Sequence, residues 1–304
     1  MVYNSKEEIM ELTSHWTGER LPDGRPKVSD EILDRYRNII LEEAWDILGT
    51  ALGYHNNCVE VGFKSTNKDI PVLVGRAFTA CFIPTREDLS EVTDAYAKKA
   101  GYRNAGNQWM VNSLGKRDVA VVDLFGKVFQ GTIFGGNIAK AVQVNTQNGG
   151  AVIYGGIRDE EQISRIPNLQ IFHRGEEPDF IRDVTLFSMN TAVRVGRAVC
   201  LPGDVVFAGP SGVMFIPPHL AEKVLIGGEK SHVRDDFGFQ RLDEGIYKVN
   251  QVHARWTMAI WDDFLEWFKV DEKAKPYQHL DWTEDYERDK KLWEEDPEVK
   301  RMGI

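Results

Sequence analysis

Hydrophobic residues recur at helical spacing in the first part of the 304-residue chain. Residues 29–31, which read Ser-Asp-Glu, form a typical helix start, and Ile32, Tyr36, Ile39 and Ile40 follow at intervals close to one helical turn. The pattern continues through the next dozen residues. We therefore expect helices at the N-terminal end, before the first strand.

Short apolar runs bounded by glycine dominate the middle of the chain. They are residues 71–82 (PVLVGRAFTACF), 119–124 (VAVVDL) and 150–154 (GAVIY). Their composition is typical of strands, and the last two are uniform enough for strands buried on both faces. A helix is predicted over residues 137–146, directly after Gly135 and Gly136. This alternation predicts an α/β fold with a central β layer flanked by helices.

Beyond residue 185 the pattern becomes typical of β-structure and then returns to helix. Strands separated by Pro-Gly and Ser-Gly turns are predicted over residues 192–200, 205–208 and 213–216. A helix is predicted over residues 219–226. Apolar residues spaced by four predict a later amphipathic helix, and they are Val252, Trp256, Ile260, Phe264 and Phe268. After about residue 273 the chain is dense in Asp, Glu, Lys and Trp, which predicts a solvated surface extension.

Charge and cysteine usage narrow the function classes. The formal net charge of −10 argues against nucleic acid and anionic membranes as partners, because both need clustered Lys and Arg. A small acidic substrate is still compatible with this charge if the protein concentrates positive charge at its binding site. Cys58, Cys81 and Cys200 form no CxxC pair, so neither a disulfide framework nor a thiolate zinc site is expected. The polar N-terminus and the absence of a long apolar run make a cytoplasmic location the expectation.

Two turns that lead from a strand into a helix carry the candidate chemistry. At the first, Gly135 and Gly136 let the backbone approach a ligand closely, and the N–H groups that begin the helix can hold a carboxylate. Ordinary turn chemistry is the commoner explanation of such a glycine pair. At the second turn, Arg158 and Asp159 follow a predicted strand at its carboxyl end, where open α/β sheets usually bind ligands.

The chemistry of Arg158 and Asp159 suits an acidic substrate and a cation. A guanidinium can bond both oxygens of a carboxylate, and an aspartate oxygen is a suitable ligand for a hard divalent cation. The alternative is an Asp that caps a short helix beside a surface Arg, and the local pattern alone favours that alternative.

Two longer stretches resemble the RraA-like family, which includes 4-hydroxy-4-methyl-2-oxoglutarate aldolases and the regulator of RNase E activity A. They are GGNIAKAVQVNTQNGGAVIYGGIRDEEQI, which ends in the Arg-Asp turn, and VRVGRAVCLPGDVVFAGPSGVMFIP. Weaker matches are VLVGRAFTA and Phe-His-Arg-Gly. The resemblance implies a swivelling β/β/α-type domain over residues 29–250, with an N-terminal extension (1–28) and an added C-terminal helix and surface extension (251–304). Residues 85–115 look like an insertion.

The resemblance also implies roles for individual residues. Asp159 would hold Mg²⁺ or Mn²⁺, mostly through water, and Arg158 would bind the keto-acid end of the substrate. Backbone N–H groups in the segment Gly136, Asn137, Ile138 and Ala139 would bind the carboxylate, with Ile138 and Ala139 as the expected donors. Asp235, with Asp236 as second choice, would complete the site from a neighbouring subunit, which implies a homotrimer or homohexamer.

The main departure from the family pattern is at Asn137, with milder ones at Tyr154-Gly155 and Gly209-Pro210, where acidic residues are common. The aldolases carry an acidic residue where this chain has Asn137, and an amide can orient water but cannot act as a base at neutral pH. Candidates for a replacement base are Asp123, Lys127 and His173. The leading hypothesis is a metal-dependent lyase that cleaves or decarboxylates a 2-oxo acid or a related sugar acid. The alternative is a non-catalytic binding or regulatory protein of the RNase E regulator type.

Overall fold

The computed structural model describes residues 2–3, 5–59 and 62–295. The chain divides into two compact units between Leu225 and Ile226. The first unit contains all the strands of the described residues, and the second is helical. In the described part of the chain, no helix is long and apolar enough to cross a membrane.

The strands follow one another through the first unit. They are β1 (Val2–Tyr3), β2 (Cys58–Val59), β3 (Lys64–Ser65), β4 (Leu73–Pro84), β5 (Asp118–Asp123), β6 (Thr132–Phe134), β7 (Gly150–Ile157), β8 (Gln170–Glu176), β9 (Val184–Met189), β10 (Val193–Val195), β11 (Ala198–Cys200), β12 (Val205–Gly209) and β13 (Gly212–Ile216). The three strands predicted between residues 71 and 154, and the β-rich segment predicted between 192 and 216, are confirmed.

Helices precede, separate and follow these strands. They are α1 (Lys6–Leu12), α2 (Asp30–Arg35), α3 (Leu41–Trp45), α4 (Glu87–Lys99), α5 (Asn107–Asn112), α6 (Gly136–Thr146), α7 (Glu160–Ile163), α8 (Ala221–Asp243), α9 (Val249–Val252), α10 (Met258–Val270) and α11 (Thr283–Glu295). The helix start predicted at residue 29 is confirmed, because the Ser29 side chain accepts a hydrogen bond from the Ile32 N–H. The helix predicted over residues 219–226 begins at Ala221 and runs on to Asp243.

A curled mixed sheet forms the centre of the first unit. Its described strands lie in the order β2-β13-β12-β4-β5-β7-β8-β3, and β4, β5, β7 and β8 run parallel. The parallel strands are buried on both faces, as their apolar composition predicts; Val119, Val121 and Val152 lie on one face and Ala120, Val122 and Ile153 on the other. The predicted α/β fold is confirmed. Because parallel strands share a direction, the turns after β6, β7 and β8 meet at one edge of the sheet.

The N-terminal residues and the insertion belong to the first unit. Arg25 forms two hydrogen bonds with Asp118 at the start of β5, each of 2.9 Å. The inserted segment forms α4 and α5, where the rings of Tyr102 and Trp109 stack with their centroids 5.9 Å apart. The Asn107 side chain donates to the Ile133 carbonyl at 2.7 Å, which fixes α5 beside β6.

The second unit has a core made of aromatic side chains. Phe237, Trp256, Trp261, Phe264 and Trp282 are almost fully buried there, with ring centroids of neighbouring pairs 4.7–6.2 Å apart. These rings fill the space that a small helical unit must bury.

Two expectations about the C-terminal part were wrong. The amphipathic helix starts at Met258 rather than near Val252, because the Thr257 hydroxyl caps its first turn by accepting from the Ile260 N–H. The segment after residue 273 is not simply solvated, since Trp282 is only 5% exposed and packs in the core. The last residues of that predicted extension, 296–304, lie outside the described residues.

Candidate active site

The two turns singled out in the sequence lie side by side at the carboxyl edge of the sheet. Strand β6 pairs in parallel with β7, with Phe134 opposite Ile157, and the Arg158 N–H donates to the Phe134 carbonyl at 2.9 Å. The glycine pair after β6 and the Arg-Asp pair after β7 therefore leave the sheet at the same level. Strand pairing brings together two short segments that are more than twenty residues apart in sequence.

Asp159 does not act as the helix cap that the local pattern favoured. Its side chain caps no N–H of α7; instead Oδ2 accepts a hydrogen bond of 3.1 Å from the Gly136 N–H, across the two turns. Its backbone has φ +61° and ψ +36°, in the left-handed region. Holding a residue other than glycine there costs roughly 1 kcal/mol or more. The capping interpretation was therefore wrong, and the carboxylate is directed toward the start of α6.

The glycine pair is required by close packing against these side chains. A Cβ atom on Gly135 would lie 2.7 Å from Asp159 Oδ2 and 2.9 Å from Arg158 Nε. A Cβ atom on Gly136 would lie 2.5 Å from Gln162 Oε1. A larger residue at position 135 would displace Arg158 or Asp159, and one at position 136 would displace the end of the Gln162 side chain.

Arg158 and Asp159 line an open cleft of about 520 Å³. Arg158 Nη1 lies 3.8 Å from Asp159 Oδ2, and the two side chains keep 40% and 32% of their surface exposed. This spacing is a loose ion pair, so the guanidinium retains donors for a ligand. The cleft therefore offers a cation and an anion side by side to a molecule of metabolite size.

The first N–H groups of α6 provide a third kind of group. The Ala139 N–H donates to the Gly135 carbonyl at 2.9 Å, and Ala139 is fully buried. Within the described residues, the N–H groups of Asn137 and Ile138 have no protein acceptor. Asn137 is exposed and Ile138 is half-buried. The helix start can bind an anion through Asn137 and Ile138, whereas the donor on Ala139 is already used.

Sequence reasoning missed four acidic residues that line the cleft, Glu160 and Glu161 in the first turn of α7 and Glu176 and Glu177 near the end of β8. Glu176 is the last residue of β8, the parallel neighbour of β7, and Glu177 follows it; the Glu177 N–H donates to the Ile157 carbonyl at 3.1 Å. Glu177 Oε2 accepts a hydrogen bond of 2.7 Å from the Gln130 N–H, and Glu176 lies 3.3 Å from the Lys64 ammonium. Residues 175–178, Gly-Glu-Glu-Pro at the end of an apolar run, were the sequence signal for Glu176 and Glu177. This signal points to the cleft only once β7 and β8 are known to be neighbours.

The three replacement bases proposed from sequence do not line this cleft. His173 is fully buried, its Nδ1 bonds the Gly175 carbonyl, and burial lowers its pKa, so it is a neutral structural histidine. The Asp123 carboxylate accepts from the Phe125 N–H at 2.9 Å, and burial raises its pKa. Lys127 lies in the turn after β5, and its carbonyl accepts from the N–H of Gly156 in β7 at 3.0 Å.

The acidic residue expected from a neighbouring subunit lies in the second unit. Asp235 is an exposed residue of α8, and Asp236 faces His232 and Lys273 at 3.8 and 3.7 Å. Their role in another copy's site stays a prediction.

The described residues contain no group of three or more His, Cys, Asp or Glu side chains placed to hold a metal ion. Asp159 can therefore contribute one carboxylate ligand, with water as the other ligands. That arrangement suits Mg²⁺, which usually keeps several waters.

The curled α/β sheet and the Arg-Asp turn at its carboxyl edge define the class of protein. A family model, RraA-like (Aldolase/RraA), matches residues 26–215, well over half of the chain. The chain belongs to the RraA-like family.

Solved structures support the same fold. The RraAS2 protein of Streptomyces coelicolor, described as an unusual member of the RNase ES inhibitor RraA family, is 21% identical, with a TM-score of 0.58 over 71% of this chain and 98% of that one. An uncharacterized protein from Pseudomonas syringae pv. tomato is 18% identical, with a TM-score of 0.62 over 78% of this chain and 99% of that one. At these identities the likeness concerns the fold. A search of curated proteins gave no significant match.

Proposed function

We propose that the chain is a divalent-metal-dependent lyase that cleaves a 2-oxo acid or a related sugar acid, by retro-aldol cleavage or by decarboxylation. The observation that carries the proposal is that Arg158 and Asp159 line one cleft, and that a 3.1 Å hydrogen bond from the Gly136 N–H joins Asp159 to the start of α6. A carboxylate for a cation, a guanidinium and free N–H donors are the groups that a 2-oxo acid requires. A 4-hydroxy-2-oxo acid like 4-hydroxy-4-methyl-2-oxoglutarate is the substrate we favour.

The metal would be Mg²⁺ or Mn²⁺, with Asp159 as its protein ligand. When bound, such a cation acts as a Lewis acid toward the 2-oxo and carboxylate oxygens. One oxygen of Asp159 already accepts from Gly136, so the carboxylate is held in a fixed orientation. The second oxygen is the one that would contact the cation or its water.

Other groups of the chain would bind the substrate and stabilise the charge that develops during the reaction. The N–H groups of Asn137 and Ile138 would bind the substrate carboxylate. In retro-aldol cleavage a base takes the proton of the 4-hydroxyl, the bond between C3 and C4 breaks, and its electron pair passes to the keto-acid fragment as an enolate. Arg158 would stabilise the enolate oxygen, and a proton then returns to carbon. Decarboxylation breaks a bond to CO₂ and needs no such base.

We assign the base of the aldol reaction to Glu177. Asn137 cannot accept the proton, and Glu177 lines the cleft on the strand next to Arg158. Its Oε2 is oriented by the Gln130 N–H, which leaves Oε1 for the substrate or for a water. A general base must be within hydrogen-bond reach of the proton that it takes, and an oriented carboxylate at the cleft wall satisfies that condition.

The test is a screen of 2-oxo acids and sugar acids with Mg²⁺ or Mn²⁺, in which pyruvate release and CO₂ release are measured separately. Asp159→Ala should abolish both activities. Arg158→Ala should cost about 3 kcal/mol of transition-state stabilisation or more, by analogy with the loss of one oxyanion donor. Asp88→Ala is the matched control, because that carboxylate pairs with Arg86 on the insertion and lines no part of the cleft.

Two further variants separate the roles of the base candidates. Glu177→Gln should suppress aldol cleavage while decarboxylation and Mn²⁺ binding persist. Asn137→Asp should create or raise aldol cleavage if that position marks a lost acidic group. An unchanged aldol rate in Glu177→Gln would remove Glu177 from the mechanism.

The alternative function is a binding or regulatory protein without catalysis, and Asn137 is the observation that favours it. A protein that binds Mn²⁺ through Asp159 yet converts no 2-oxo acid in the screen would support that alternative.

We also propose that Asp235 of a second copy completes the site in a homotrimer or homohexamer. Mixing inactive Asp159→Ala and Asp235→Ala chains should then restore part of the activity, since some mixed interfaces contain both intact residues. A monomer by light scattering would contradict this assembly.

A further inference from the structure

A second pocket, of about 270 Å³, lies in the first unit between the end of α1 with the residues that follow it and the segments just before β12 and just after β13. It shares no lining residue with the cleft around Arg158. Its polar lining includes Asp204, His15 and His219, and its apolar lining includes Trp16 and Tyr54. Its volume lies just below the roughly 300–1,000 Å³ usual for drug-sized ligands, so it suits a small molecule.

Asp204 is the unusual feature of this pocket. It is only 2% exposed, and its Oδ2 accepts a hydrogen bond of 2.8 Å from the Leu201 N–H. Its Oδ1 has no hydrogen-bond partner in the described part of the chain. Buried carboxylates are normally paired, because an unpaired charge in the interior costs several kcal/mol. An unpaired buried oxygen at a pocket wall calls for a donor from outside the protein.

Among the described residues, no cationic side chain pairs with the Asp204 carboxylate. Burial raises the pKa of Asp204 to about 7, and the Leu201 N–H is the one group that opposes this rise. Asp204 also raises the pKa of Cys200, after the larger effect of burial on that thiol. Above about pH 7 the Asp204 carboxyl group is ionised, and an ionised buried carboxylate favours a cationic occupant.

The remaining walls suit the rest of such an occupant. The rings of His15 and His219 lie with centroids 5.1 Å apart, and a neutral imidazole offers one acceptor nitrogen. Burial, and then His15, lower the pKa of His219, so this histidine adds little positive charge at neutral pH. The aromatic rings of Trp16 and Tyr54 can attract an organic cation through their faces. The Trp16 indole N–H is already bonded to the Glu19 carbonyl.

We propose that this pocket binds a small organic ammonium ion, whose N–H donors bond Asp204 and whose hydrocarbon part lies against Trp16 and Tyr54. A charged donor supplies the hydrogen bond that Oδ1 lacks, and it neutralises the buried carboxylate. A neutral alcohol of the same shape could supply a hydrogen bond without the charge. The proposal is independent of the lyase reaction, because the two sites share no residue.

The test compares benzylamine with benzyl alcohol, its neutral analogue, by calorimetric titration of the full chain near pH 8. Benzylamine should bind saturably and benzyl alcohol should not. Asp204→Asn keeps an acceptor for the Leu201 N–H and removes the charge, so affinity should fall by at least roughly tenfold. Trp16→Leu should weaken binding as well, and it covers the case in which Asp204→Asn does not fold.

Carboxylates also line the cleft around Arg158, so an amine could bind there instead. Glu177→Gln and Asp159→Ala serve as controls for that case. Both should bind benzylamine as the wild type does. Equal binding of the alcohol, unchanged affinity in a folded Asp204→Asn variant, loss of binding in the cleft variants, or no binding of benzylamine would each overturn the proposal.

Discussion

The buried pair of Arg25 and Asp118 gives the sharpest test of how the N-terminal segment is joined to the sheet. Two parallel hydrogen bonds of 2.9 Å connect the guanidinium to the carboxylate, and the side chains are 4% and 0% exposed. Arg25→Met removes the cation and keeps an apolar stem of similar length. Asp118 then retains only the Gly115 N–H as a described donor to its carboxylate.

We expect this variant to lose about 3–5 kcal/mol of unfolding free energy, the range for a buried pair in which one partner is deleted. Urea unfolding followed by circular dichroism measures the loss. Hydrogen exchange of peptides from β5 locates it in the first unit, which matters because a chain of two units need not unfold in one step. Adding Asp118→Asn should recover part of the loss, because the stranded charge disappears.

The matched control is Lys27→Met, which breaks an exposed pair with Glu19 of 2.8 Å. Such a pair contributes at most about 1 kcal/mol. A loss in Arg25→Met no larger than that of the control would refute the view that this pair anchors the N-terminal segment.

Three other changes test different parts of the molecule. Burial raises the pKa of Asp204 to about 7, so the folded state binds this proton more tightly than the unfolded state does. The free energy of unfolding gains this contribution in full below about pH 4. Up to about 4 kcal/mol of it is lost as the pH rises through 7. Urea melts of Asp204→Asn over this pH range should be flatter than those of wild type. Gly135→Ala should weaken Mn²⁺ binding, measured by electron paramagnetic resonance, because its Cβ would lie 2.7 Å from Asp159 Oδ2; Gly209→Ala, whose Cβ would meet nothing within 4 Å, should not. Phe264→Ala should destabilise the second unit by about 3–5 kcal/mol in a fluorescence-monitored melt.

The strands and the two turns could be predicted because they depend on local chemistry. Apolar runs such as residues 119–124 are uniform enough to predict buried strands. Gly135 and Gly136 likewise indicate a turn by themselves, whether or not the neighbouring Arg-Asp turn is known. The C-terminal unit could not be predicted to the same extent. Its Trp and Phe residues are separated by charged ones, and only packing among α8, α10 and α11 shows which of them form a core.

The central pair of the candidate site could be recognised from the sequence, whereas the acidic residues that surround it could not. Arg158 and Asp159 are adjacent in sequence, so their pattern is visible directly. Glu177 enters the cleft only because β8 pairs with β7, and that pairing is a property of the sheet. The direction of Asp159 was likewise hidden, since an Asp before a short helix is normally its cap.

The backbone conformation of Asp159 supports a role that does not depend on which substrate is correct. A glycine would adopt φ +61° at lower cost than an aspartate. Asp is among the residues that accept the left-handed region best, yet here its side chain gives α7 no cap. Its carboxylate instead holds the N–H that begins α6 and stays one-third exposed beside Arg158. A carboxylate that is fixed through one oxygen and open at the other is what the proposed metal site requires.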